Sequence, residues 1–111
     1  MKDLINRAKE GGLTADDYAD NTFAVSSVGN IGGKYFVPTI LRPAACIIAI
    51  GKAETKPKYT GDGLDDHKWE PIQSVSFSIT ADHRVIYGAD GAAFLKDLAE
   101  LIETRPESLA L

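Results

Sequence analysis

The sequence predicts an α+β domain in which helices flank a mainly β core, and three observations carry that prediction. Ala44–Ile50 is a continuous apolar run of strand length between Pro43 and Gly51, as a strand covered on both faces would be. Ser74–Thr80 alternates strictly, with Val75, Phe77 and Ile79 on one face and Ser74, Ser76, Ser78 and Thr80 on the other. From Asp90 the period changes: Phe94, Leu95, Leu98, Leu101 and Ile102 fall at helical spacing, with Lys96, Asp97, Glu100 and Glu103 turned outward.

In chain order, residues 2–10 read as a short helix carrying Leu4, Ile5 and Ala8 on one face and ending at Gly11-Gly12. Thr14-Ala15-Asp16-Asp17 has the Thr-x-x-acid spacing of a helix start, which predicts one further turn over Ala15–Ala19. Thr22–Ser27 is rich in β-formers and stops at Gly29. A loop with three glycines, Gly29, Gly32 and Gly33, follows. Pro38 and Pro43 bracket an irregular passage before the apolar strand. Thr60-Gly61-Asp62-Gly63 is a strong turn signal, predicting a hairpin between segments near Ala53–Tyr59 and Lys68–Ile72. Asp90 is placed to cap the last helix, and Pro106 lies just past its expected end.

Composition narrows the function classes. The 111 residues suit one domain or part of one, and 44% hydrophobic with 25% charged residues is ordinary for a globular protein. A net charge of −4 argues against a nucleic-acid surface, which needs clustered cations to displace counterions. No apolar run approaches the roughly 20 residues that span a bilayer. Met1-Lys2-Asp3-Leu4 opens no secretory signal, so no membrane role is expected. The single Cys46 lies among apolar neighbours and reads as a small core residue. Two histidines without a cysteine cluster make no structural metal site, and no metal is expected.

Chemistry concentrates in Thr80-Ala81-Asp82-His83-Arg84-Val85-Ile86-Tyr87-Gly88, between the alternating strand and the last helix. Histidine is the side chain that exchanges a proton most readily near neutral pH, and a flanking acid and arginine can fix its ring and the local charge. The triplet alone also fits a hydrogen-bonded turn. Val25-Ser26-Ser27-Val28-Gly29 offers hydroxyls that could donate to an oxyanion or satisfy a turn. Its glycines lack the spacing of phosphate-binding fingerprints. His67, among charged neighbours, reads as a solvated loop histidine.

Taken together, these segments resemble the C-terminal part of the 2-oxo acid dehydrogenase acyltransferases. That family ends in a motif close to Asp-His-Arg-x-x-Asp-Gly followed by an amphipathic helix, matched by Asp82-His83-Arg84-Val85-Ile86-Tyr87-Gly88 and the helix beyond. Upstream, Thr22-Phe23-Ala24-Val25-Ser26-Ser27-Val28-Gly29 resembles its Thr-Phe-x-Ile-Ser segment. Arg42–Gly51 resembles its Pro-Pro-x-x-x-Ile-Leu-x-x-Gly strand, and Pro106-Glu107-Ser108-Leu109 its closing residues. The likeness is colinear over nearly the whole chain.

The resemblance implies a chloramphenicol acetyltransferase-like mixed sheet with flanking helices, of which residues 1–111 are the C-terminal part, without a second domain. It implies homotrimers within a larger multienzyme core, with a channel at the subunit interface. There an acetyl or branched-chain acyl group passes directly between coenzyme A and dihydrolipoamide, the lipoyl group being carried on a separate domain. By the same resemblance His83 is the general base and Ser26, from the neighbouring subunit, the oxyanion donor, with Asp82, Arg84 and Tyr87 supporting the loop. Tyr87 stands where the family has Asp or Asn. A partial domain that exposes half a sheet is expected to self-associate or be unstable. The alternative is a non-catalytic scaffold paralogue of the same complex. Bacterial cytoplasm and the mitochondrial matrix are the expected compartments.

Overall fold

A computed structural model describes residues 1–61, 63 and 68–104. The turn residue Asp62, His67, Pro106 and the closing Pro106–Leu109 segment lie outside the described residues.

Helix α1 (Lys2–Lys9) ends as its sequence predicts. Gly11 adopts φ +70°, its N–H donates to the Ala8 carbonyl at 3.3 Å, and the Gly12 N–H donates to the Arg7 carbonyl at 2.8 Å. Only a residue without a Cβ takes that left-handed step cheaply. One 3₁₀ turn follows over Ala15–Tyr18. Asp17 Oδ2 accepts the Thr14 N–H at 2.7 Å, and its carboxylate also receives the Arg7 guanidinium. The Thr14 N–H and the Arg7 guanidinium hold the Asp17 carboxyl below its usual range.

The core is a three-stranded sheet in the order β1 (Phe23–Ser27), β2 (Cys46–Ile50), β5 (Phe77–Ala81). β1 runs parallel to β2, and β2 antiparallel to β5. Strand β2 is central, and Cys46, Ile47, Ile48 and Ala49 are all buried, which is why its sequence reads as an unbroken apolar run. Burial pushes the Cys46 thiol up. Helix α2 (Gly88–Thr104) packs on β5, and its Phe94 ring meets Phe23 of β1 at 5.6 Å. β3 (Glu54–Tyr59) and β4 (Trp69–Ser74) form the expected hairpin as a separate two-stranded sheet. Tyr59 stacks edge-on with Trp69 at 5.4 Å.

Two expectations need correction. The alternating run is not one strand: Ser74 closes β4, Val75 and Ser76 make the link, and β5 starts at Phe77. The break lets the Ser76 carbonyl accept the Gly51 N–H at 2.9 Å, tying the link to the end of β2. All five β5 residues are half-buried, so its two faces do not divide into dry and wet. Helix α2 starts two residues before Asp90, which therefore sits in the first turn instead of capping from outside.

The chain exposes 8975 Å², whereas a compact monomer of its mass would expose about 6,000 Å². Its radius of gyration is 18.0 Å, against about 13 Å for a compact domain of this length. Val25, Ile31, Tyr35, Val37 and Trp69 are all more than half exposed. Among the described residues, no helix is long and apolar enough to cross a membrane.

Candidate active site

The turn carrying His83 is built by the backbone that continues β5. The Asp82 N–H donates to the Ala45 carbonyl at 2.8 Å, extending the β2–β5 pairing, and the Asp82 carbonyl accepts the N–H groups of Val85 and Ile86, both at 3.0 Å. Residues 82–86 are thereby folded into a tight loop that presents His83 to solvent.

Asp82 and Arg84 do not orient the imidazole; they grip each other. Arg84 Nε donates to both Asp82 oxygens at 2.9 and 3.0 Å, Nη2 donates at 2.5 Å, and the Arg84 N–H adds a bond of 3.0 Å. The Arg84 guanidinium and N–H, helped by the nearby charge of Arg42, hold the Asp82 carboxyl at about 2. The reciprocal attraction raises the Arg84 guanidinium further above its ordinary value. Arg42 is a contributor that sequence reasoning missed, because only the fold brings residue 42 beside residue 82.

Tyr87 immediately precedes α2. Its N–H donates to Asp90 Oδ2 at 3.3 Å, and its carbonyl accepts the N–H groups of Asp90 and Gly91 at 3.0 and 3.2 Å. This is half of a capping box: the acid reaches back, but tyrosine has no side-chain acceptor for the helix's first N–H groups. The three-residue spacing from Tyr87 to Asp90 was the signal for it. The Tyr87 ring meets His83 nearly perpendicularly, centroids 5.8 Å apart. Both rings line a hollow of about 340 Å³ between β5 and α2, whose other walls are mainly Ile79, Ala81, Ile86 and Leu95.

Ser26 lies elsewhere. Cross-strand partners share a face, so the register puts Phe23, Cys46 and Ala81 on one side together with Val25, Ile48 and Ile79. That is the α2 side, since Phe94 meets Phe23 and Gly91 packs over Ile79. Ser26, Ala49 and Ser78 occupy the opposite face. The Ser26 row is three residues, about 10 Å, along the strands from the Ala81 row, and β1 lies about 10 Å across from β5. Ser26 and the His83 hollow of one chain are therefore on different faces and towards different ends of the sheet.

Gly29 after β1 and Gly51 after β2 serve close packing. A Cβ on Gly29 would lie 2.8 Å from the Gly51 carbonyl oxygen, and one on Gly51 would collide with the Lys34 carbonyl. Gly33, at φ +79°, passes its carbonyl to the Lys52 N–H at 2.9 Å. Lys34 and Lys56 pair with Glu54, the Lys34 contact being the first cause that lowers the Glu54 carboxyl. Among the described residues, no group of three or more His, Cys, Asp or Glu side chains is arranged to hold a metal ion.

Residues 1–111 match the family model of the 2-oxoacid dehydrogenases acyltransferase (catalytic domain). The chain is 45% identical over 109 residues to component 2 of the dihydrolipoyllysine-residue acetyltransferase of the mitochondrial pyruvate dehydrogenase complex of Arabidopsis thaliana, covering 97% of this chain and 20% of that protein. It is 41% identical over 105 residues to the corresponding component of Zymomonas mobilis, covering 93% and 22%. The fold superposes on dihydrolipoamide acetyltransferase of Azotobacter vinelandii, studied for a serine, a histidine and an asparagine in its catalytic mechanism, with a TM-score of 0.79 and 32% identity, covering 99% of this chain and 43% of that one. The cubic core of a pyruvate dehydrogenase multienzyme complex matches with the same values. The chain thus spans about a fifth of the length of these two relatives.

Proposed function

The chain belongs to the 2-oxoacid dehydrogenases acyltransferase (catalytic domain) family, and from that premise we propose that it carries acyl transfer between coenzyme A and dihydrolipoamide in a site shared by two copies. His83 is the base and Ser26 of the adjoining copy the oxyanion donor. The observation that supports this reading is the separation of the two groups: one chain presents its imidazole and its serine on opposite faces of the sheet, as a site completed by a second copy requires.

The imidazole takes the proton of the attacking thiol, and the sulfur adds to the thioester carbonyl. The Ser26 hydroxyl donates to the oxyanion that forms. Collapse expels the second thiolate, which recovers the proton from the imidazolium, so no acyl-enzyme is needed. A thiol and an imidazole differ by about 2 pH units in reference pKa, so the proton transfer is uphill by only about 3 kcal/mol. The side of the hollow facing His83 is lined by Ile79, Ala81, Ile86 and Leu95, an apolar surface for the entering thiol to pack against.

Acetyl is the favoured acyl group, because the relatives are acetyltransferases; branched-chain groups are the alternative. The lipoyl group arrives on a separate domain, and the copies assemble as homotrimers in a larger core. Relatives occur in bacteria and in mitochondria, which fits bacterial cytoplasm or mitochondrial matrix.

The test is transfer from acetyl-coenzyme A to dihydrolipoamide by the full-length protein. His83→Ala should cost about 10²–10⁴ in kcat and Ser26→Ala about 10²–10³. Negligible losses in both would refute these roles. No product from the unmutated protein would instead favour the scaffold paralogue.

A further inference from the structure

Resting on the acyl-transfer reading above, we infer that Tyr87 is a positioning residue that holds the His83 imidazole over its hollow through the aromatic ring, with no part played by the hydroxyl. His83 is exposed, and among the described residues its imidazole makes no hydrogen bond. An unrestrained imidazole samples about three χ1 wells with two ring orientations in each. The neighbouring polar groups cannot narrow that choice, because Asp82 and Arg84 are engaged with each other.

The ring contact that His83 does make is with Tyr87, at 5.8 Å and 83° between planes. Edge-to-face geometry is attractive, since the positive edge of one ring meets the negative face of the other. Tyr87 is itself anchored at both backbone groups, its N–H to Asp90 and its carbonyl to Asp90 and Gly91. A ring on an anchored backbone thus stands beside one that no hydrogen bond ties among the described residues. Both border the same hollow, so the contact confines the imidazole where an entering thiol would meet it.

The experiment compares Y87F, Y87A, Y87L and H83A with the unmutated full-length protein in transfer from acetyl-coenzyme A to dihydrolipoamide, with thermal unfolding in parallel. Y87F should keep kcat within about twofold. Y87A and Y87L should each lose roughly sixfold in kcat, the number of ring states released, with both KM values near those of the unmutated protein. Y87L keeps an apolar side chain at the position, so its loss separates the aromatic contact from simple filling of space, and it serves alone if Y87A unfolds early. The inference is overturned if Y87L matches the unmutated enzyme, if the loss falls in KM, or if Y87F falls as far as Y87A. An active H83A would overturn the acyl-transfer reading and this inference with it. An inactive H83A beside an unchanged Y87A would overturn this inference alone.

Discussion

The two ends of the three-stranded sheet are held together by different means. Around Ser26 the contacts are backbone against backbone: the Gly51 N–H on the Ser76 carbonyl, the Lys52 N–H on the Gly33 carbonyl, and Gly29 and Gly51 set so close to carbonyls that a methyl has no room. Around His83 the contacts that distinguish the turn come from side chains, namely the Asp82–Arg84 fork, the Asp90 grip on Tyr87 and the Tyr87–His83 ring pair. Backbone contacts specify glycine and little else, whereas side-chain contacts can be exchanged residue by residue. An unusual tyrosine is therefore accommodated at the histidine end, while the serine end admits no comparable change.

Substitutions that add one methyl group expose this contrast most clearly. Gly51→Ala should destabilise the protein by about 1–3 kcal/mol, because the Lys34 carbonyl must move aside. A urea midpoint equal to that of the unmutated protein would break the comparison. Gly88→Ala should instead stabilise by about 0.4–1 kcal/mol, since nothing lies within 4 Å of the new carbon in the first turn of α2. A lowered midpoint in the same titration would show that the histidine end is as crowded as the serine end.

The smallest effect is acid dependence at the fork. The Asp82 carboxyl is depressed from 3.8 to about 2, so its contribution is complete above pH 3.8 and disappears as pH falls through about 2. The difference in stability between unmutated protein and Asp82→Asn should be constant from pH 7 to about 4 and close towards pH 2. A difference that closed between pH 7 and 5 would mean that another group governs the turn.

Much of this is legible in the sequence. The Ala44–Ile50 run announced the buried central strand, Gly11-Gly12 the helix end, and Thr14–Asp17 the 3₁₀ turn, because each signal is local and acts through the backbone. The break at Val75–Ser76 was not legible: alternation continues across it, while Ser74 pairs with Glu54 of β3 and Phe77 with Ile50 of β2, so the chain passes from one sheet to the other there. At the candidate site the sequence picked out His83 and Ser26, but it could not say that they stand on opposite faces, since facing depends on the β1–β2–β5 register. Nor could it show that Asp82 and Arg84 satisfy each other and leave the ring to Tyr87. The first is set by which strands pair and in what register, the second by a side-chain contact whose direction no periodicity encodes.

The most direct test is to co-express His83→Ala and Ser26→Ala chains in equal amounts and assay acyl transfer by the mixed assemblies. On the proposed reading each site in a ring of copies takes His83 from one chain and Ser26 from the next, so random mixing restores about one quarter of the sites, and activity should rise to about a quarter of the unmutated level. Activity no greater than the average of the two variants assayed separately would mean that both residues act within one chain, which contradicts the account.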